Sequence, residues 1–145
     1  MTKISAQMKS PQRAINTHWF NPPHIVPLVE VIPGQQTSED TTRASLELLL
    51  SLGKTAVRLN KELPGFLINR VQIAMYREIL DLLEQGVASA EDIDRAFRAS
   101  VGFRSAAVGP LQVYDFAGID VSGRCYSELV QDIRSDRQLP DLVQQ

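Results

Sequence analysis

Three residues stand at ordered intervals where their chemistry could be used: His18, Glu30 and Asn69. His18 lies near the end of a run from Arg13 to Phe20 whose β-favouring groups, Ala14, Ile15, Thr17, Trp19 and Phe20, predict a strand. Asn21-Pro22-Pro23 stops that strand, because proline lacks an N–H and biases the residue before it toward extended forms. A strand end before a stiff turn is where an α/β sheet places its active groups. Glu30 is the one charge in the apolar run Leu28 to Ile32, and a carboxylate beside an imidazole fixes its tautomer and strengthens it as a general base. The plainer readings are a structural histidine and an outward charge on an edge strand. Asn69 falls in the first turn of a long apolar helix, a place that asparagine disfavours. Its amide either serves a neighbour or ligand, or ties down the Pro64-Gly65 turn. Arg70 beside it reads as a structural ion pair or a helix-face charge.

Other reactive types lack a comparable setting. His24 reads as a solvated loop residue. Two histidines six apart, one remote cysteine and no HExxH pattern give no coherent metal-ligand set, so no metal is expected. Cys125 is the single cysteine; it reads as a small apolar filler and fits a reducing compartment. The eight glycines are isolated, at 34, 53, 65, 86, 102, 109, 118 and 123, so no GxGxxG turn is present to cradle a dinucleotide. There is likewise no P-loop, no CxxC and no GxSxG.

The elements that must position these residues change character near Pro64. Before it, strands at residues 13–20, 28–32 and 55–59 surround one helix, which begins at Thr37-Ser38-Glu39-Asp40 with hydroxyls to cap and acids at the positive dipole end, and stops at Gly53. Strand–helix–strand is one α/β unit, and alone it leaves sheet edges and faces open. Residues 1–62 therefore read as the tail of a larger sheet, completed by a partner chain, by self-association or by a rearranged packing. After Pro64 the periodicity is helical. Ile68, Val71, Met75, Ile79 and Leu82 follow the i, i+3/i+4 rhythm, and Ala74, Tyr76, Leu80 and Leu83 widen the stripe, which predicts a largely buried helix ending at Gly86. Ser89 caps a second helix, Gly102 to Gly109 reads as a loop, Pro110 to Gly118 as a third helix and Val121 to Arg134 as a fourth, with Leu139-Pro140 as its stop. The fold class is mostly α, with a short α/β part in front of an all-helical domain at 63–145.

Composition bounds the classes of function. The 145 residues are 43% hydrophobic and 22% charged, with a net charge of -2. That is ordinary for a globular protein and gives no general attraction to nucleic acid. Arg70, Arg77, Glu78 and Asp81 interrupt the longest apolar stretch, so no membrane span is expected, and the first residues lack the apolar core of a signal peptide. The cytoplasm is the expected location.

Together, His18-Trp19-Phe20-Asn21-Pro22-Pro23, Leu28-Val29-Glu30-Val31-Ile32-Pro33-Gly34 and Pro64-Gly65-Phe66-Leu67-Ile68-Asn69-Arg70 resemble the catalytic region of the L-3-hydroxyacyl-CoA dehydrogenase family. The similarity continues through Arg77-Glu78, Glu84-Gln85-Gly86, Glu91-Asp92-Ile93-Asp94-Arg95-Ala96 and Gly109-Pro110-Leu111 to Asp115 and Gly118-Ile119-Asp120. The resemblance implies that residues 1–62 are the C-terminal remnant of a Rossmann-type NAD-binding domain and that 63–145 is the helical dimerisation domain. It implies His18 as the general base toward a 3-hydroxyl whose hydride leaves for nicotinamide, Glu30 as its orienting partner, and Asn69 as a hydrogen-bond donor to the reacting oxygen or the neighbouring thioester. A serine that the family uses upstream falls before Met1 in this alignment. The intact enzyme would use NAD or NADP and an acyl-CoA or small hydroxyacid substrate, and would dimerise through the helical domain. This chain alone is expected to bind no cofactor and to be inactive. Gly102 to Leu111 is longer than in mitochondrial-type members and resembles the branch that holds lambda-crystallin and the small hydroxyacid or hydroxybutyryl-CoA dehydrogenases. The rival expectation is a non-catalytic dimerisation module or the subunit of a split enzyme.

Overall fold

The computed structural model describes residues 1–136, 138 and 143. They form two compact units, Met1–Val71 and Gln72–Gln145.

The first unit is built on a three-stranded sheet of order β1-β2-β3: β1 is Ile15–Trp19, β2 Leu28–Pro33 and β3 Thr55–Arg58. β1 runs antiparallel to β2 and pairs His18 with Glu30 and Trp19 with Val29; β2 runs parallel to β3. A short helix, α1 (Thr2–Ser5), and a 3-10 turn, Pro11–Arg13, precede the sheet; neither was expected from the sequence. Strand side chains alternate between faces. Val29 and Val31 of β2 pack against Leu46 and Leu49 of α2 (Glu39–Ser51), with Ile15 and Ala56 at their flanks. Glu30 and Ile32 point to the other face, and all four of these β2 residues are fully buried. The expected strand–helix–strand unit is β2-α2-β3.

Ser38 is the cap of α2, its hydroxyl accepting from the Thr41 N–H. Thr37 does something else. Its hydroxyl donates to the Ala14 carbonyl at 2.6 Å and accepts from the Gly34 N–H at 2.8 Å, tying the start of β1 to the turn after β2. Arg58 at the end of β3 forks onto Glu39 in the first turn of α2, at 2.5 and 2.9 Å.

Helix α3 spans Ile68–Glu84. The second unit continues with α4 (Ala90–Phe97), α5 (Phe103–Ser105), α6 (Pro110–Ala117) and α7 (Ile119–Leu129). Ser89 caps α4 as expected, accepting from the Asp92 N–H at 3.1 Å. Four expectations need correction. The loop expected from Gly102 is helical at its start: a π-helical turn, Arg98–Gly102, runs into α5. Glycine permits this continuity, because a Cβ at position 102 would lie 3.1 Å from the Phe97 carbonyl oxygen. The last helix ends at Leu129 rather than Arg134. Arg134 leaves the helical path to donate its backbone N–H to Glu78 and its guanidinium to Asp81, Glu84 and Asp136. The expected stop at Leu139-Pro140 lies outside the described residues. Finally, α3 is not buried within this chain. None of its residues is fully covered, and Ile73 is 67% exposed. Leu111 (83%) and Phe116 (77%) of α6 are equally open. Cys125 on α7 is exposed, not the buried filler expected of a lone cysteine. No described helix is long and apolar enough to cross a membrane.

Candidate active site

Two of the three candidate residues are brought into direct contact. His18 and Glu30 are cross-strand partners, and Nδ1 of His18 lies 2.7 Å from Oε2 of Glu30. Glu30 is not an outward charge on an edge strand: it sits on the central strand with 0% exposure. Its second oxygen, Oε1, accepts from the backbone N–H groups of Leu67 (3.2 Å) and Ile68 (2.9 Å) at the start of α3. Each end of a helix leaves backbone groups without partners, and a carboxylate at the N-terminus satisfies them and suits the dipole. Glu30 therefore caps α3 from a strand far earlier in the chain. The sequence reading missed this use of the carboxylate. The signal available was the Pro64-Gly65 turn immediately before the helix.

That turn has an uncommon backbone. Gly65 has φ 75°, and Phe66 follows at φ 49°. Positive φ is cheap for glycine and costly for phenylalanine. The two left-handed residues swing the chain so that the next two N–H groups point at one carboxylate oxygen. The Phe66 ring lies 5.2 Å from the His18 ring, and Phe20 flanks it at 4.7 Å. The imidazole thus stands between two aromatic side chains with its side chain 23% exposed. Its Nε2 has no partner among the described residues.

The donor pattern fixes the tautomer by inference. With a carboxylate accepting two amides on one oxygen, the other oxygen accepts the Nδ1–H, which leaves Nε2 with a free lone pair in neutral imidazole. Nε2 can take a proton from a bound hydroxyl, and Glu30 then faces the resulting imidazolium.

Asn69 is the second residue of α3, next to Ile68, and is half-buried. Its side-chain amide makes no hydrogen bond among the described residues. It does not tie down the Pro64-Gly65 turn; Arg70 does, with Nη1 donating to the Pro64 carbonyl at 3.2 Å, and no carboxylate pairs with Arg70 among the described residues. His24 is exposed in the loop between β1 and β2. No group of three or more potential metal ligands occurs among the described residues.

Residues 1–63 match the family model for 3-hydroxyacyl-CoA dehydrogenase, NAD binding domain, and residues 65–145 match that for 3-hydroxyacyl-CoA dehydrogenase, C-terminal domain. Over 143 residues the chain is 37% identical to the 5-formyl-3-hydroxy-2-methylpyridine 4-carboxylate 5-dehydrogenase of Mesorhizobium japonicum, covering 99% of this chain and 46% of that protein. It is 39% identical to the 3-hydroxyadipyl-CoA dehydrogenase of Escherichia coli, covering 100% of this chain and 30% of that protein. A solved structure of 5-formyl-3-hydroxy-2-methylpyridine 4-carboxylic acid 5-dehydrogenase, an NAD+ dependent dismutase, superposes with a TM-score of 0.93 at 37% identity, over 98% of this chain and 46% of that one. The chain thus spans less than half the length of these relatives.

The turn from β2 into α2 does not suit a phosphate group. The only described turn from a strand into a helix within a parallel unit is the one from β2 to α2. There Ser38 already occupies the helix start, and Glu39 and Asp40 stand in the first turn, where they repel phosphate. What this part of the chain offers is the histidine, its carboxylate and the helix start behind them. With both family models matched along its length, the chain belongs to the 3-hydroxyacyl-CoA dehydrogenase family.

Proposed function

We propose that this chain carries the proton-transfer half of an NAD(P)-dependent 3-hydroxyacyl-CoA or related hydroxyacid dehydrogenase. His18 takes the proton of the substrate hydroxyl at Nε2, Glu30 holds the ring and faces its charge, and Asn69 donates its amide to the reacting oxygen or the neighbouring carbonyl. The observation that carries this reading is the His18–Glu30 pair, with one imidazole nitrogen bound and the other free. Removal of a hydroxyl proton by a placed base contributes roughly 100- to 10,000-fold to a rate. Oxidation of the carbinol also needs a hydride acceptor, and the residues of this chain do not bind one, so the chain alone turns over negligibly. On this reading residues 1–62 belong to the nucleotide-binding domain and 63–145 to the helical substrate and dimerisation domain.

The small-hydroxyacid branch is the better fit within the family. The pyridine-carboxylate dehydrogenase structure superposes at a TM-score of 0.93, whereas a 3-hydroxybutyryl-CoA dehydrogenase of Escherichia coli superposes at 0.69 with 39% identity. Several further relatives are L-carnitine dehydrogenases, one of them from Burkholderia mallei at 38% identity. We infer a compact hydroxyl or aldehyde substrate that bears a carboxylate.

The test joins the preceding part of the 37%-identical dehydrogenase to this chain. The chimera should reduce NAD with a hydroxy substrate, and His18→Asn should lower kcat by at least about 100-fold while NAD still binds. Equal turnover with His18→Asn would remove the base assignment.

A second reading, a non-catalytic association module, is favoured by one observation: the open apolar surface of α3 and α6. A chain that dimerises, and whose chimera is inactive although it binds NAD and substrate, would support it.

A further inference from the structure

We propose that Lys54 is a positioning residue for His18, acting from the opposite face of the sheet. This deepens the base assignment of His18 and rests on it.

Lys54 opens the segment that leads from α2 into β3. Its ammonium donates to the carbonyls of Pro23 (2.5 Å) and Val26 (3.2 Å) and lies 5.6 Å from the centre of the Trp19 ring. No carboxylate pairs with it among the described residues. A lysine whose charge is spent on two neutral carbonyls and an aromatic face, rather than on an ion pair, is a clamp. What it clamps is the chain between the two halves of the site: the loop from Phe20 to Pro27 leaves β1 just after His18 and enters β2 just before Glu30. The Thr55 N–H, one residue on, takes the Pro27 carbonyl at 2.9 Å. The loop also closes on itself, with the Ile25 and Val26 N–H groups on the Pro22 carbonyl.

Alternation along β1 puts Trp19 on the α2 side, the face opposite His18. The indole is fixed there by its own N–H bond to Thr17, at 3.1 Å, and by the ammonium over its ring. Phe20 follows immediately, and its ring is one of the two that flank His18. Lys54 therefore holds the strand end from behind while Glu30 holds the imidazole in front. Without Lys54 the Trp19–Phe20 corner is released, and the imidazole loses its fixed distance to Oε2. Misplacement of a catalytic group by about 1 Å can cost up to 100-fold in rate.

The test compares Lys54→Met with Lys54→Arg. The first readout is the downfield proton resonance of the His18 Nδ1–H bonded to Glu30, observed in the 145-residue chain. The second is kcat and KM in the chimera. Lys54→Met should broaden or abolish that resonance with the sheet intact, and lower kcat by about tenfold with little change in KM. Lys54→Arg should retain both, since guanidinium also donates to carbonyls and stacks on indole. If Lys54→Met lowers the melting temperature and leaves the resonance and kcat at wild-type values, Lys54 is scaffold only and the proposal is overturned. Should Lys54→Met not fold, Trp19→Leu takes its place: the proposal requires a weakened resonance, and an unchanged one refutes it. The two hypotheses separate cleanly. Loss of the base assignment shows as full turnover in His18→Asn, whereas loss of the Lys54 role shows in the proton resonance, which needs no turnover at all.

Discussion

His18 and Glu30 face each other directly across the antiparallel pair β1–β2, with Nδ1 and Oε2 2.7 Å apart and the carboxylate wholly buried. A cross-strand pair has its Cβ atoms already close, which brings the two side chains within reach of each other. The less common part is the other side of the carboxylate, where Leu67 and Ile68 deliver two backbone N–H groups.

Glu30→Gln should therefore damage stability as well as chemistry. The amide cannot accept on both sides, so either the imidazole or the start of α3 faces a donor instead of an acceptor. Leaving buried donors unpaired costs about 1–3 kcal/mol. Urea denaturation of the 145-residue chain should show a loss in that range, and a loss near zero would show that the helix start does not depend on Glu30.

Phe66 offers a way to separate backbone from ring. Phe66→Ala and Phe66→Gly both delete the ring against His18, but only glycine is at ease at φ 49°. Phe66→Gly should be the more stable of the two by about 1 kcal/mol. Equal stabilities would mean that the left-handed turn is not retained. Gly65→Ala should be destabilising outright, since its φ is 75° and an added Cβ would meet the Arg70 side chain at 3.2 Å.

Asn69→Ala should show the reverse profile. The amide has no partner among the described residues, so its removal breaks no hydrogen bond and the melting temperature should stay within about two degrees of wild type. In the chimera kcat/KM should fall by about tenfold or more, the effect expected of one hydrogen bond to a developing charge. A large loss of stability with normal kinetics would return Asn69 to a structural role.

The Glu39–Arg58 fork gives a pH dependence with a definite sign. The hydrogen bond from Arg58 holds the Glu39 carboxyl below the ordinary glutamate range against desolvation, and the charge of Arg58 adds to the lowering. A lowered folded value means that the pair's contribution is complete above the ordinary glutamate value and disappears as pH falls through the folded one. Glu39→Gln should be less stable than wild type at neutral pH, and the gap should close as the pH falls through the lowered folded value. A gap independent of pH would show that the fork contributes through packing alone. Both partners are largely exposed, so the gap is small and should shrink in high salt.

The apolar surface of α3 and α6 predicts a self-associating chain. Light scattering should give twice the chain mass, and Ile73→Asp should return it to the monomer without loss of helix content. A monomer at micromolar concentration would leave that surface to some other partner.

Much of the site was legible in the sequence because it follows local rules. A lone glutamate in an apolar strand, a histidine at a strand end and a proline stop put His18 and Glu30 on neighbouring strands, and Ser89 announced its helix by type and spacing. The helix-start amides of Leu67 and Ile68 were not legible, since they meet Glu30 from 37 and 38 residues away through the left-handed Phe66, a conformation that its residue type disfavours. The π-helical turn was hidden behind Gly102, which normally marks a loop and here serves a close backbone approach. Arg134 was read as a helical residue because three of its four acidic partners, Glu78, Asp81 and Glu84, are distant in sequence. The breadth of the α3 stripe was correctly seen. Its burial was not, because a stripe specifies that a surface wants cover, not which molecule supplies it.

The divided use of Glu30 has a consequence for how variants of this protein are interpreted. One oxygen meets the imidazole and the other meets the start of α3. Aspartate is a methylene too short to reach both sets of partners, and glutamine fails one of them. A screen that scores turnover would place position 30 beside His18, whereas a screen that scores abundance would place it with the core valines. Both rankings would be correct, and neither would assign a role. Only a measurement that records folding and the imidazole proton in the same sample separates the two duties of that side chain.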